Sequence, residues 1–199
     1  MKACAFSLLF WWLPCGAAEL EGVRLEDRVR VDGQGLQLNG IALRTRMVFF
    51  KVYVAGLYLA EKASTAQEAF DARGAKRIIL VMMRDATADQ FSESIGTGLR
   101  INHSDEELAR LKDQTDALMA MIHSAGVAKA GARIVLDYAP SAGATTLSMD
   151  GAALGPPMAG EEFYRALLRI WLGERPAQED LKEALLGQPA GYRGAQNDY

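Results

Sequence analysis

Apolar and polar positions alternate with a period of two at Val29–Val31 and again at Leu36–Leu38, on either side of Asp32-Gly33. Alternation around a two-residue turn former predicts a β-hairpin, because successive strand side chains point to opposite faces. After Gly40 the segment MVFFKVYVAGLYL, Met47 to Leu59, is rich in β-branched and aromatic residues and predicts a longer strand. Period two puts Phe50, Val52, Val54 and Tyr58 on one face and Phe49, Lys51, Tyr53, Ala55, Leu57 and Leu59 on the other. Both faces are largely apolar, so this strand is expected to be covered on both sides. Gly56 within it marks a bulge or a close backbone approach.

Helical and strand signals then take turns. Thr65 followed by Glu68 is a capping pattern for a short helix through Ala72, and Lys76–Met83 reads as a buried strand. Asp85–Thr87 are expected to start a helix that runs through Phe91 and Ile95 and weakens at Gly96 and Gly98. Ser104 and Glu107 form a second capping pattern, opening a helix with Leu108, Leu111, Leu118, Met119 and Ile122 near one stripe, ended by Gly126–Gly131. Ala132–Tyr138 and Thr145–Met149 read as antiparallel strands, with Asp150-Gly151 turning into Ala152–Leu154. Glu161–Leu172 and Pro176–Leu186 read as closing helices stopped by Gly173 and Gly187. Strands in meanders with helices grouped between them predict an α+β fold, an antiparallel sheet with a layer of helices on one face.

Composition adds mainly exclusions. The 199 residues are 50% hydrophobic, enough for one domain with a proper core, and no repeat or linker divides them. Twenty-two basic against 25 acidic side chains give a net charge of −3, which leaves no case for a general nucleic-acid or polybasic membrane binder. The start of the chain is the exception to its evenness. Lys2, an apolar run from Ala3 to Leu13, Pro14, and then Gly16, Ala17 and Ala18 follow the three-part order of a secretory signal peptide, and the run is too short to span a bilayer. Residues 1–18 are therefore expected to be a leader, 19–187 the domain, and 188–199 a loose tail. Cleavage after Ala18 leaves 181 residues, a net charge of −4 and, with Cys4 and Cys15 gone, no cysteine, in keeping with a periplasmic or secreted protein.

Chemical candidates are few. His103 and His123 stand twenty residues apart without a paired-ligand motif, no thiol remains, and no nucleotide or nucleophile fingerprint is present, so neither metal nor cofactor is expected. A haem held by His103 with Met82 or Met83 is a minor alternative. The cations are more informative: Arg44, Arg46 and Lys51 lie at or within an apolar strand, and Arg84 ends another. A cation among apolar neighbours must be paired, snorkelled or ligand-bound. By alternation Arg44 and Arg46 share a side, the arrangement of a fork for a carboxylate or another anionic head group.

Three segments, LNGIALRTRMVFFKVYVAGLYL, IILVMMRDATADQFSESI and MDGAALGPPMAGEEFYRALLRIWLGERP, together resemble the chalcone isomerase-like family in its bacterial, secreted branch, over most of Val23 to Leu186. The resemblance implies an open-faced antiparallel sheet under a helical layer with a ligand cleft between them. It also implies one of two activities, closure of a chalcone to a flavanone or non-catalytic binding of fatty acids. The isomerase arginine is matched by Arg44, its strand threonine falls on Tyr53 and its helix tyrosine on Phe91, which carries no hydroxyl. Loss of a donor to a developing oxyanion costs about 3 kcal/mol of transition-state stabilisation. The expectation is therefore a non-catalytic binder of a small amphipathic ligand such as a fatty acid, with Arg44, Arg46, Tyr53 and Phe91 as its binding residues. An intramolecular lyase, or an interaction domain whose cleft is filled by its own side chains, are the alternatives.

Overall fold

A computed structural model describes residues 16–47 and 50–188. In chain order the elements are β1 (Ala17–Leu20), β2 (Val23–Glu26), β3 (Arg28–Val31), β4 (Gln34–Arg46), β5 (Phe50–Leu59), α1 (Ala66–Asp71), β6 (Lys76–Met82), β7 (Ala86–Thr87), α2 (Ala88–Asn102), α3 (Asp105–Arg110), α4 (Lys112–Ala125), β8 (Val127–Ala128), β9 (Arg133–Ala139), β10 (Ala144–Met149), β11 (Ala152–Ala153), β12 (Met158–Ala159), α5 (Glu161–Leu172) and α6 (Glu179–Leu185). The main sheet has the antiparallel order β11-β10-β9-β6-β5-β4-β3, with β12 on the far side of β10. Helices cover one face, so the fold is α+β.

Local chemistry accounts for these bounds. Asp32 and Gly33 both take positive φ, the conformation of a turn whose twist matches paired strands, and Asp150 with Gly151 repeats it. Thr65, Thr87 and Ser104 each cap a helix by accepting the amide three residues on, and Glu68, Gln90 and Glu107 return the bond. Helix α2 begins at Ala88, not at Asp85, because Thr87 is its cap and Ala86–Thr87 pair with β8. It also runs on through Gly96 and Gly98 to Asn102, because α5 packs against it there: a Cβ on Gly98 would lie 2.7 Å from Ile170 Cγ2. Leu111 leaves helical geometry and divides the stripe after Ser104 into α3 and α4. Helix α6 starts at Glu179 because the Ala177 amide is drawn back to Ile170 O and Gln178 is extended.

Two cores result. Tyr53, Ala55, Leu57 and Leu59 of β5 meet Phe163, Leu167, Ile170 and Trp171 of α5 on the helical face. On the opposite face a smaller cluster of Leu25, Leu36, Leu38, Tyr58, Ile79 and Val81 lies beneath the β1–β2 hairpin. Strand β5 is thus covered on both sides, as its two apolar faces require. Gly56 is in regular register with Ile41 and serves the close approach: a Cβ there would stand 2.5 Å from Leu25 Cδ1.

Two register shifts interrupt the β4–β5 ladder. The first, between Leu38 and Gly40, turns Asn39 inward, where its side-chain amide donates to Ala63 O and Leu185 O and its oxygen accepts the Ala63 amide. The second lies opposite Val52, between the pairs Arg44–Tyr53 and Thr45–Lys51. It puts Val52 beside Tyr53 against the helical core, while Lys51 bonds Glu21 in the β1–β2 turn at 2.6 Å. Strict alternation had assigned Lys51 to the face of Tyr53; the bulge reverses that side of the strand. Gly16, Ala17 and Ala18 of the expected leader are described, and the two alanines pair with Glu26 and Leu25, so a cut after Ala18 would divide β1. Residues 1–15, with both cysteines, and 189–199 of the expected tail lie outside the described residues.

Candidate functional site

Arg44 is placed by β4 directly across from Tyr53 of β5, which in turn pairs with Met82 of β6. Cross-strand partners share a face, so the guanidinium stands on the helical side of the sheet beside the phenol. The Tyr53 hydroxyl accepts from Trp171 Nε1 of α5 at 3.0 Å. Burial raises the Tyr53 pKa against the opposing pull of the Trp171 bond and of Arg44. Tyr53 is therefore a neutral phenol at neutral pH, and with its oxygen already accepting, its own proton remains to be donated.

The arginine has a partner from the far end of the chain. Gln178, the residue before α6, sends its side-chain oxygen into a group of three donors: Arg44 Nη1 at 3.2 Å, the Thr45 amide at 3.0 Å and Thr45 Oγ1 at 3.4 Å. A further bond from Arg44 Nη1 to Thr45 O at 2.9 Å holds the guanidinium in place. A cation, a backbone amide and a hydroxyl converging on one oxygen make a cradle for an oxyanion, and charge-assisted bonds from such a set are about twice as strong as neutral ones. The chain fills it with a neutral amide.

Of the four residues expected to hold a ligand, the fold unites only Arg44 and Tyr53. Arg46 lies beyond the second register shift, exposed, and shares no partner with Arg44 among the described residues. Phe91 lies on α2 and lines a separate apolar hollow with Ala86, Ile122, Ile134, Leu147 and Met149. That hollow measures about 20 Å³. Sites for small organic ligands run to about 300–1,000 Å³, so it is no preformed acyl pocket.

Other candidates separate in space. His103 Nδ1 lies 2.9 Å from Leu99 O at the end of α2, whereas Met82 is buried in the sheet core. His103 also borders a polar cleft of about 720 Å³ on the outer helical surface, together with Arg100, Arg169, Arg175 and Lys182. His123 sits at the end of α4 near Asp89 and Ser92. Among the described residues no three His, Cys, Asp or Glu side chains cluster as metal ligands, and no helix is long and apolar enough to cross a membrane.

Trp171, Thr45 and Gln178 escaped the sequence. Trp171 was visible only as an aromatic on an amphipathic helix. Gln178 lies 134 residues from Arg44 and carries no motif.

Comparison with known proteins agrees with this architecture. No curated protein matches the sequence. The crystal structure of an Arabidopsis thaliana fatty-acid binding protein superposes with a TM-score of 0.66 over 86% of this chain and 96% of that one, at 15% identity, a likeness of fold. The family model described as chalcone isomerase-like matches residues 17–187, from β1 through the end of α6. The chain belongs to the chalcone isomerase-like family.

Proposed function

We propose that this protein is a non-catalytic binder of a small amphipathic carboxylate, a fatty acid first among them, and that the carboxylate takes the place of the Gln178 amide on Arg44 and Thr45. The observation that carries this reading is the convergence of three donors on one side-chain oxygen. A carboxylate oxygen gains there what an amide oxygen cannot, a full ion pair with Arg44, and Tyr53 can add its remaining proton. The Arabidopsis relative of the same fold is a fatty-acid binding protein, which makes this ligand class the first to test.

An acyl tail needs far more room than the hollow beside Phe91 offers. Binding on this reading therefore parts the helical layer from the sheet. The segment that leads into α6 is the part to move, since it carries Gln178, while the far end of the helix is held by Asn39 on Leu185 O. We further propose that the N-terminal leader is removed and the domain acts outside the cytoplasm; intact-mass measurement of the protein from cell envelopes reads the cleavage point directly. Mass spectrometry of organic extracts from the purified domain tests the ligand class. Recovery of fatty acids at near one per chain supports it, and recovery of none, with no heat on titrating dodecanoate, overturns it.

A further inference from the structure

We propose that the polar cleft on the outer helical surface, where α2, α5 and α6 meet, is a binding site for a small organic polyanion, a molecule with two or more phosphate or carboxylate groups on a compact body. The site is separate from the Arg44 cradle and does not depend on the carboxylate-binding reading. Four cations line it, Arg100, Arg169, Arg175 and Lys182, against the carboxylates of Glu107 and Glu174, a surplus of two positive charges on a chain that carries −3. Helices α2 and α5 both end here. A helix C-terminus offsets about half a positive charge, so the two dipoles cancel roughly half of the surplus and leave the rest to be met from outside.

The four cations differ in their commitments. Arg169 lies 3.5 Å from Glu107 and 5.8 Å from the centre of the Phe70 ring, so it forms part of the wall. Among the described residues Arg100 bonds only the Thr97 hydroxyl, at 2.9 Å, and Lys182 only the Gly173 carbonyl, at 2.8 Å; neither acceptor carries charge. The Arg175 side chain is exposed and has no partner among the described residues. Its backbone is nonetheless fixed, because the Asn102 side chain accepts from its N–H at 3.0 Å and donates to its O at 2.9 Å. Gly173 permits that closeness, since a Cβ there would stand 2.3 Å from Asn102 Oδ1. A guanidinium anchored by its backbone with its head in solvent is placed to take an oxyanion. His103 adds a buried Nε2 that has no partner among the described residues, and a ligand group reaching it would answer for an atom of a kind rarely left unpaired. At about 720 Å³ the cleft has the size of sites that hold small organic molecules. Cations contributed by three helices and the connection between two of them call for more than one oxyanion group. Phe70, Leu172 and Ile101, the last 41% exposed, supply apolar surface for the body that joins those groups.

Calorimetric titration of the purified protein with citrate and with pyrophosphate at low ionic strength tests the proposal, with acetate as the single-charge control. Binding of either polyanion at about one per chain, weaker as salt is raised, is expected and supports the site, the tighter of the two naming the oxyanion; acetate is expected not to bind measurably. Arg100→Gln with Arg175→Gln removes two exposed charges and leaves the core untouched, and is expected to weaken binding about tenfold. Arg28→Gln with Arg30→Gln, on the edge strand β3, changes the net charge equally and is expected to leave the affinity within about twofold. Binding of neither polyanion overturns the proposal. Equal weakening by the two double variants overturns it as well, since that is the behaviour of an adventitious ion only, attracted by net charge. Loss of binding in Arg44→Ala, with the Arg100 and Arg175 substitutions without effect, overturns it by assigning the polyanion to the cradle.

Discussion

Replacing Tyr53 by phenylalanine removes one oxygen from the contact between the sheet and α5, and the structure sets the size of the consequence. Trp171 is 1% exposed and its indole N–H donates to that oxygen at 3.0 Å. In Tyr53→Phe the donor stays buried with nothing to accept it, a loss of about 1–3 kcal/mol. For a domain of this size each kcal/mol moves the midpoint by about 2–4 °C, so the melting temperature is expected to fall by roughly 2–12 °C. Urea denaturation followed by fluorescence measures the free energy directly. Tyr58→Phe is the reference on the other face of the sheet: the Tyr58 hydroxyl donates to Glu26 O, a part-buried bond, and the expected loss is about 1 kcal/mol. Trp171→Phe completes a cycle: the double variant should be less destabilised than the sum of the singles by about 1 kcal/mol. A loss below about 0.5 kcal/mol for Tyr53→Phe, or strict additivity, would refute the bond between phenol and indole as the link that holds α5 over the Arg44 end of the sheet.

Other substitutions probe the same framework. Gly98→Ala should destabilise by about 1–3 kcal/mol despite alanine's better helix propensity, since its Cβ would meet Ile170 Cγ2 at 2.7 Å, and Ile170→Ala in the same chain should recover part of the difference in a thermal melt. Asn39→Ala leaves two buried carbonyls and a buried amide unpaired and should cost at least about 2 kcal/mol, read by urea denaturation. Burial of Glu161 acts to raise its pKa, but the bonds and charge of Lys76 and Arg165 win and lower it. Its folded value lies below its unfolded value, so the stabilisation is present above about pH 4.5 and is lost as pH falls through the folded pKa; Glu161→Gln should flatten that acid limb of a stability–pH curve. The fully buried Lys76 shows the asymmetry of such pairs: Lys76→Met should be close to neutral, whereas Glu161→Gln, which leaves the ammonium unpaired, should be clearly destabilising in the same assay.

Much of the framework was legible because local chemistry dictates it. The turns at Asp32-Gly33 and Asp150-Gly151, the caps at Thr65 and Ser104 and the bounds of α5 follow from side chains acting within a few residues. What escaped depends on partners distant in sequence. Gly98 is a helix-weakening residue by propensity, yet the packing of Ile170 against it outweighs about 1 kcal/mol of local preference. Strict alternation failed at Val52, where one unpaired residue turned Lys51 away from Tyr53. The site divided along the same line: the family resemblance singles out Arg44 and Tyr53, which strand pairing makes neighbours, whereas Phe91 is carried elsewhere by α2 and Gln178 arrives from just before the last helix. A side chain that occupies an anion cradle in place of a ligand leaves no pattern in one sequence.

The central claim is that the Arg44 cradle receives a carboxylate and that Gln178 competes for it, and calorimetric titration of dodecanoate into three proteins tests it most directly. The wild type should bind. Arg44→Ala should bind at least tenfold more weakly, as expected when one partner of a partly buried charge pair is removed. Gln178→Ala should bind several-fold more tightly, since ligand then displaces no internal hydrogen bonds of about 1 kcal/mol each. Equal affinity in all three proteins would contradict the account.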